Sequence, residues 1–101
     1  MRAHGSPVAC GGVRACATGA HVGELKRLWV EPAWRRAGIA RLLVGALERR
    51  AGELGYRRVA LNTGVRQHAA IALYDALGYD RAQPFGPHAA DPELLFFEKD
   101  L

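Results

Sequence analysis

Two arginines and a glycine, Arg35, Arg36 and Gly38, stand where an apolar strand pattern ending Leu28-Trp29-Val30 passes through Glu31-Pro32 and meets a long amphipathic helix. A helix N-terminus carries backbone N–H groups with no intrahelical partner and the positive end of the helix dipole. Such a junction suits a phosphate, and the arginines beside it have the matching charge. An ordinary strand-to-helix turn with solvated arginines is the plainer reading of the same residues. Nothing comparable offers a metal site: Cys10 and Cys16 lack a completing set, and His4, His21, His68 and His88 are scattered.

The elements that must hold this junction follow from periodicity. Residues 1–6 read as a ragged lead-in, and 7–16 as a strand in which Gly11-Gly12 marks a bulge or a close backbone approach. Thr18-Gly19 forms the turn, and His21 to Val30 returns antiparallel. In this second strand Leu28 and Val30 keep period two, but Leu25 lies three residues before Leu28. One inserted residue is the mark of a β-bulge; an edge strand with Lys26 and Arg27 on a charged outer face fits equally. Ile39, Leu42, Leu43, Ala46, Leu47, Ala51 and Leu54 then recur at helical spacing, with Arg41, Glu48, Arg49 and Glu53 outward. Leu54-Gly55-Tyr56 ends that helix, glycine taking the left-handed position past the cap. A strand from Arg57 to Thr63 follows, with Val59 and Leu61 on one face. The second helix, from about Gln67 to Leu77, has Ala70, Leu73, Tyr74 and Leu77 inward and stops on Leu77-Gly78-Tyr79. Tyr79 to Ala82 is a short strand, Pro84 to Pro92 a loop, and Leu94 to Lys99 a closing strand. The order β-β-α-β-α-β-β describes an α/β (α+β) domain with a mixed, mostly antiparallel sheet and helices packed on it.

Composition narrows the class. The chain has 101 residues, half of them apolar, which is enough for one domain with an ordinary core. No apolar run approaches the ~18 residues a membrane span needs, and the first residues lack a signal-peptide core, so a cytoplasmic protein is expected. The two cysteines then read as small buried thiols rather than a disulfide. The net charge of +4 is almost wholly arginine, but the arginines fall in pairs (Arg35/Arg36, Arg49/Arg50, Arg57/Arg58) instead of one stripe. That argues against a nucleic-acid surface and leaves a polyanionic small molecule or an arginine-rich coding bias.

Leu28-Trp29-Val30-Glu31-Pro32 followed by Arg35-x-x-Gly38-x-Ala40 resembles the acetyl-CoA pyrophosphate signature of the GNAT superfamily of N-acetyltransferases. The stretch from Gln67 to Tyr79 is similar to that family's second cofactor segment, with glutamine in place of the usual asparagine at its start. Glu24-Leu25-Lys26-Arg27 matches the strand on which many members place a carboxylate base. The resemblance implies a GNAT-like (acyl-CoA N-acyltransferase) fold over 1–101, lacking the first strand and first two helices that normally build one wall of the acceptor site.

It further implies acetyl-CoA as co-substrate, bound by Leu28, Trp29, Val30, Arg35, Arg36, Ala37, Gly38, Ile39, Ala40, Arg41, Gln67, Ala70 and Tyr74. Amides from Arg36 to Arg41 would cradle the pyrophosphate, and strand groups at Leu28 and Val30 would pair with the pantetheine arm. Tyr74 is the candidate general acid, because a phenol can reprotonate a leaving thiolate; the alternative is an aromatic core residue. Glu24 is the candidate base for the amine, through water; an exposed strand glutamate is the alternative. Asn62 fits a substrate contact or turn chemistry, His68 a solvated side chain, and the 84–88 loop the edge of an acceptor pocket.

The expected function is transfer of an acetyl group to a primary amine by direct attack, the acceptor being a small molecule or a peptide. Two rivals accompany it: an acyl-CoA-binding domain without turnover, and a small basic nucleic-acid module. A sheet edge and apolar surface left open predict a homodimer.

Overall fold

Seven residues alternating about Gly11-Gly12 and nine ending in Leu28-Trp29-Val30 pair as an antiparallel hairpin, β3 (Ala9–Ala15) and β4 (Val22–Val30), in a computed structural model describing residues 2–3, 6–7, 9–16, 19, 21–30 and 38–101. The expected lead-in instead contains a two-stranded ladder, β1 (Arg2–Ala3) against β2 (Ser6–Pro7), so Pro7 does not belong to the long strand. Along the hairpin Cys10 faces Trp29 but Gly12 faces Lys26. Gly11 therefore lies opposite both Arg27 and Leu28, and β4 carries the extra residue. The break in alternation between Leu25 and Leu28 is this bulge, and a bulge bends its strand and sharpens its twist.

Helix α1 (Ile39–Glu53) buries Leu43, Val44, Leu47 and Ala51 against the sheet. This corrects the stripe read from spacing. Leu42 is 59% exposed, Leu54 49%, and Ala46 faces outward too, whereas Val44 is buried and Glu48 half-buried. Two neighbouring flanks of this helix are apolar, and periodicity does not tell which one meets the sheet. Long-range partners decide it: the Tyr79 hydroxyl donates to Glu48 Oε2 at 2.7 Å, and Lys99 Nζ lies 3.3 Å away.

Both helices stop alike. Past α1, Gly55 (φ 93°) donates to the Gly52 carbonyl and Tyr56 to that of Ala51. Past α2 (His68–Ala76), Gly78 (φ 88°) donates to Asp75 and Tyr79 to Tyr74. These pairs consume the orphan carbonyls of the last turn and require a left-handed residue, which only glycine adopts cheaply.

Strand β5 (Arg58–Gly64) is central, parallel to β4 and antiparallel to β7 (Leu94–Asp100); β6 (Asp80–Arg81) closes the order β3-β4-β5-β7-β6. One sheet face carries the helices over Leu25, Val59, Leu61, Tyr74, Tyr79 and Phe97. On the other face Cys16, Ala60, Phe85 and Phe96 form a smaller cluster, the Phe85 and Phe96 rings 5.0 Å apart edge-on. The 84–88 loop thus serves first as a roof for that face.

Candidate functional site

The decisive feature is where a ladder stops. Parallel β4 and β5 pair at Val22↔Arg58, Gly23↔Val59 and Glu24↔Ala60, and no further. Beyond Glu24, β4 stays with β3 as far as Ala9↔Val30, while β5 stays with β7 as far as Gly64↔Leu94. The two strands splay into a fork, on the side where the bulge at Arg27 and Leu28 turns β4. Gly23 stands at the base: a Cβ there would meet the Tyr56 ring at 2.9 Å and Val13 Cγ1 at 3.1 Å. The stop residue of α1 is thereby clamped onto β4 just before the fork opens.

A cleft of about 440 Å³ occupies this opening, lined by Leu25, Lys26, Asn62, Thr63, Gln67, Ala70 and Tyr74. Gln67, Ala70 and Tyr74 are thus brought together as expected, and Asn62 joins them. Leu25, Lys26 and Thr63 were not anticipated as lining. Lys26 in particular is not on a charged outer face: its Nζ lies 3.3 Å from Glu24 Oε2 and it is half-buried. The Glu24–Lys26 spacing of two, which puts both side chains on one strand face, was the available signal.

Tyr74 is buried, its ring tilted against Tyr79 at 5.7 Å and Phe97 at 5.6 Å. Burial pushes its phenol above the ordinary tyrosine value, so the proton is held at neutral pH. Among the described residues its hydroxyl has no hydrogen-bond partner, yet it is not sealed from solvent. Tyr74 is thus a core ring, as its alternative reading had it, and it also lines the cleft. Tyr79 differs, its hydroxyl being committed to Glu48.

Glu24 occupies the last rung at the apex of the fork and is only 5% exposed, so it is no solvated strand glutamate. Arg14 Nε stands 3.4 Å from Oε1, completing an ion triad with Lys26.

Of the expected phosphate junction, Arg35, Arg36 and Ala37 lie outside the described residues. Leu28, Trp29 and Val30 belong to β4 beyond the fork. Gly38 caps α1 in the left-handed region (φ 76°) with no side-chain cap, and the first turn, Ile39, Ala40 and Arg41, holds no acidic residue. Arg41 instead adds positive charge where the dipole is already positive, an arrangement an anion would relieve. Helix α2 likewise has no side-chain cap at its N-cap residue, Gln67, and no acid in its first turn.

Residues 1–79 match the acetyltransferase (GNAT) family. The chain belongs to the GNAT family of acetyltransferases. An IAA acetyltransferase of Azospirillum brasilense is 40% identical over 100 residues, covering 99% of this chain and 65% of that protein. A solved Klebsiella pneumoniae structure assigned as an acyl-CoA N-acyltransferase superposes with a TM-score of 0.86 at 37% identity, over 96% of this chain and 66% of that one. The PaiA N-acetyltransferase of Thermoplasma acidophilum, solved in complex with coenzyme A, gives 0.82 at 17% identity, over 99% of this chain and 57% of that one, and so speaks to the fold. This GNAT chain thus spans somewhat less than two-thirds of such relatives. Its mixed, mostly antiparallel sheet with helices packed on it is the expected architecture.

Proposed function

We propose that this chain binds acetyl-CoA in the β4–β5 fork and transfers the acetyl group directly to a primary amine. The observation carrying this is the early end of the parallel ladder at Glu24↔Ala60, with the cleft that opens beyond it. Backbone groups of Leu28 and Val30, released from any β5 partner, suit the pantetheine arm as an added strand. Amides of Gly38 to Arg41, with Arg35, Arg36 and Ala37 ahead of them, suit the diphosphate. The Thermoplasma relative's coenzyme A supports the choice of ligand.

In the reaction the amine nitrogen bonds to the thioester carbonyl carbon, and the C–S bond breaks. Glu24, through water, accepts the first proton, which the ammonium must lose before attack; Tyr74 gives its proton to the departing thiolate, and the second nitrogen proton returns through water to the Tyr74 phenolate. A second reading, coenzyme A binding without turnover, is favoured by the two cations already on Glu24.

Calorimetric titration beside a turnover assay separates the two: tight binding with no amine-dependent release of coenzyme A selects the second. If the first holds, Tyr74→Phe lowers kcat by about 10²–10⁴-fold while leaving coenzyme A affinity nearly unchanged. An undiminished rate in that variant removes Tyr74 from the chemistry.

A further inference from the structure

Glu24 is the described buried carboxylate, and it is over-neutralised. Arg14 Nε at 3.4 Å and Lys26 Nζ at 3.3 Å leave the triad with one surplus positive charge beside a cleft that Lys26 itself lines. Amines near neutral pH arrive as ammonium ions. A simple alkylamine approaching Glu24 would therefore bring a further cation to a site already one cation in excess, in a half-buried setting that screens it poorly. An acceptor bearing its own carboxylate beside the amine removes that conflict.

Resting on the acetyltransferase reading, we infer that the acceptor is a zwitterionic amine of the amino-acid type. Lys26 is then the residue that selects it, taking the acceptor's carboxylate. Drawing Lys26 toward the acceptor loosens its hold on Glu24 Oε2, so the group that must accept the ammonium proton is released as the correct substrate arrives. Arg14 sits across the β3–β4 ladder from Glu24 and is the more exposed cation, with its side chain 56% accessible. It keeps the carboxylate oriented during this exchange. The step balances as before: the first ammonium proton goes to Glu24, nitrogen bonds to the acetyl carbon, sulfur leaves with the Tyr74 proton, and the second nitrogen proton returns through water to the Tyr74 phenolate.

The test pairs each of several L-amino acids with its carboxamide and with the amine left by removing its carboxyl group, measuring coenzyme A release by chromatography. The amino acids should exceed their decarboxylated partners by about tenfold or more in kcat/KM, the scale of one ion pair in a partly desolvated site. Lys26→Gln should bring that ratio close to one, and Lys26→Arg should restore most of it. If Lys26→Gln turns nothing over, titrating the same pairs into the coenzyme A-loaded variant reads the ratio as binding. Equal rates across each trio, or a ratio unmoved in Lys26→Gln, overturn the inference and leave the acetyltransferase reading standing. Acetylation of none of these amines, with coenzyme A still bound, overturns the inference; the acetyltransferase reading itself is judged by the turnover assay above.

Discussion

Two tyrosines five residues apart show how one residue type divides its labour. Tyr74 lines the cleft, while Tyr79 donates to Glu48 at 2.7 Å under the Lys99 ammonium, which lies 5.5 Å from the Tyr79 ring centre. Burial first, then the bond to Glu48, drives the Tyr79 phenol far above its ordinary range, and burial raises Tyr74 as well. A group whose folded-state value is raised contributes stability that is fully present below the unfolded value. That stability is lost as pH rises from about 10 toward the folded value, because the unfolded chain ionises first. Tyr79→Phe should cost about 1–3 kcal/mol at neutral pH, the scale of a hydrogen bond to a charged group. It should also flatten, without abolishing, the alkaline decline, since Tyr74 remains. Urea midpoints between pH 7 and 11 would check both; an unchanged alkaline slope would mean that Tyr79 does not titrate with unfolding.

At the scale of elements, Gly38 and Gly78 both have a left-handed φ, 76° and 88°, and a Cβ at either meets nothing within 4 Å. Alanine at each should cost a similar amount, about 1 kcal/mol, through the left-handed conformation alone. Their places differ: Gly38 opens the uncapped N-terminus of α1, and Gly78 closes α2. Gly38→Ala should therefore weaken coenzyme A binding in calorimetry while Gly78→Ala does not, at matched losses of stability. Equal affinities would remove the α1 terminus from the binding site. These stops were readable in the sequence because Leu-Gly-Tyr is local chemistry, and so was the bulge, since one extra residue breaks a period of two. The buried face of α1 was not readable, because what turns Glu48 inward and Leu42 outward is Tyr79 and Lys99, 31 and 51 residues from Glu48. Lys26 was misread for a similar reason: its partner Glu24 lies on the same strand face, but the fork at which Glu24 is buried and Lys26 half-buried is a property of β5.

The whole sheet, ordered β3-β4-β5-β7-β6, ends in two unlike edges. On one side β6 has only two residues, too short to template another strand. On the other, β3 offers seven, paired only with β4 among the described residues. Exposed large apolar side chains among the described residues are few, Leu42, Leu54 and Leu101, so a broad greasy face is not what would drive association. An edge of this length is the stronger reason to expect self-pairing. A two-fold axis at β3 lets each copy present the same backbone groups to the other and closes the assembly at two. Light scattering at micromolar concentration should then report twice the 11.0 kDa protomer mass. Hydrogen exchange distinguishes this interface from any other: on dilution into the monomer range, β3 amides should lose protection while those of β5, bonded on both sides near its start, keep theirs. A protomer mass at micromolar concentration would count against self-association, and dimers whose β3 amides exchange no faster on dilution would move the contact elsewhere on the molecule.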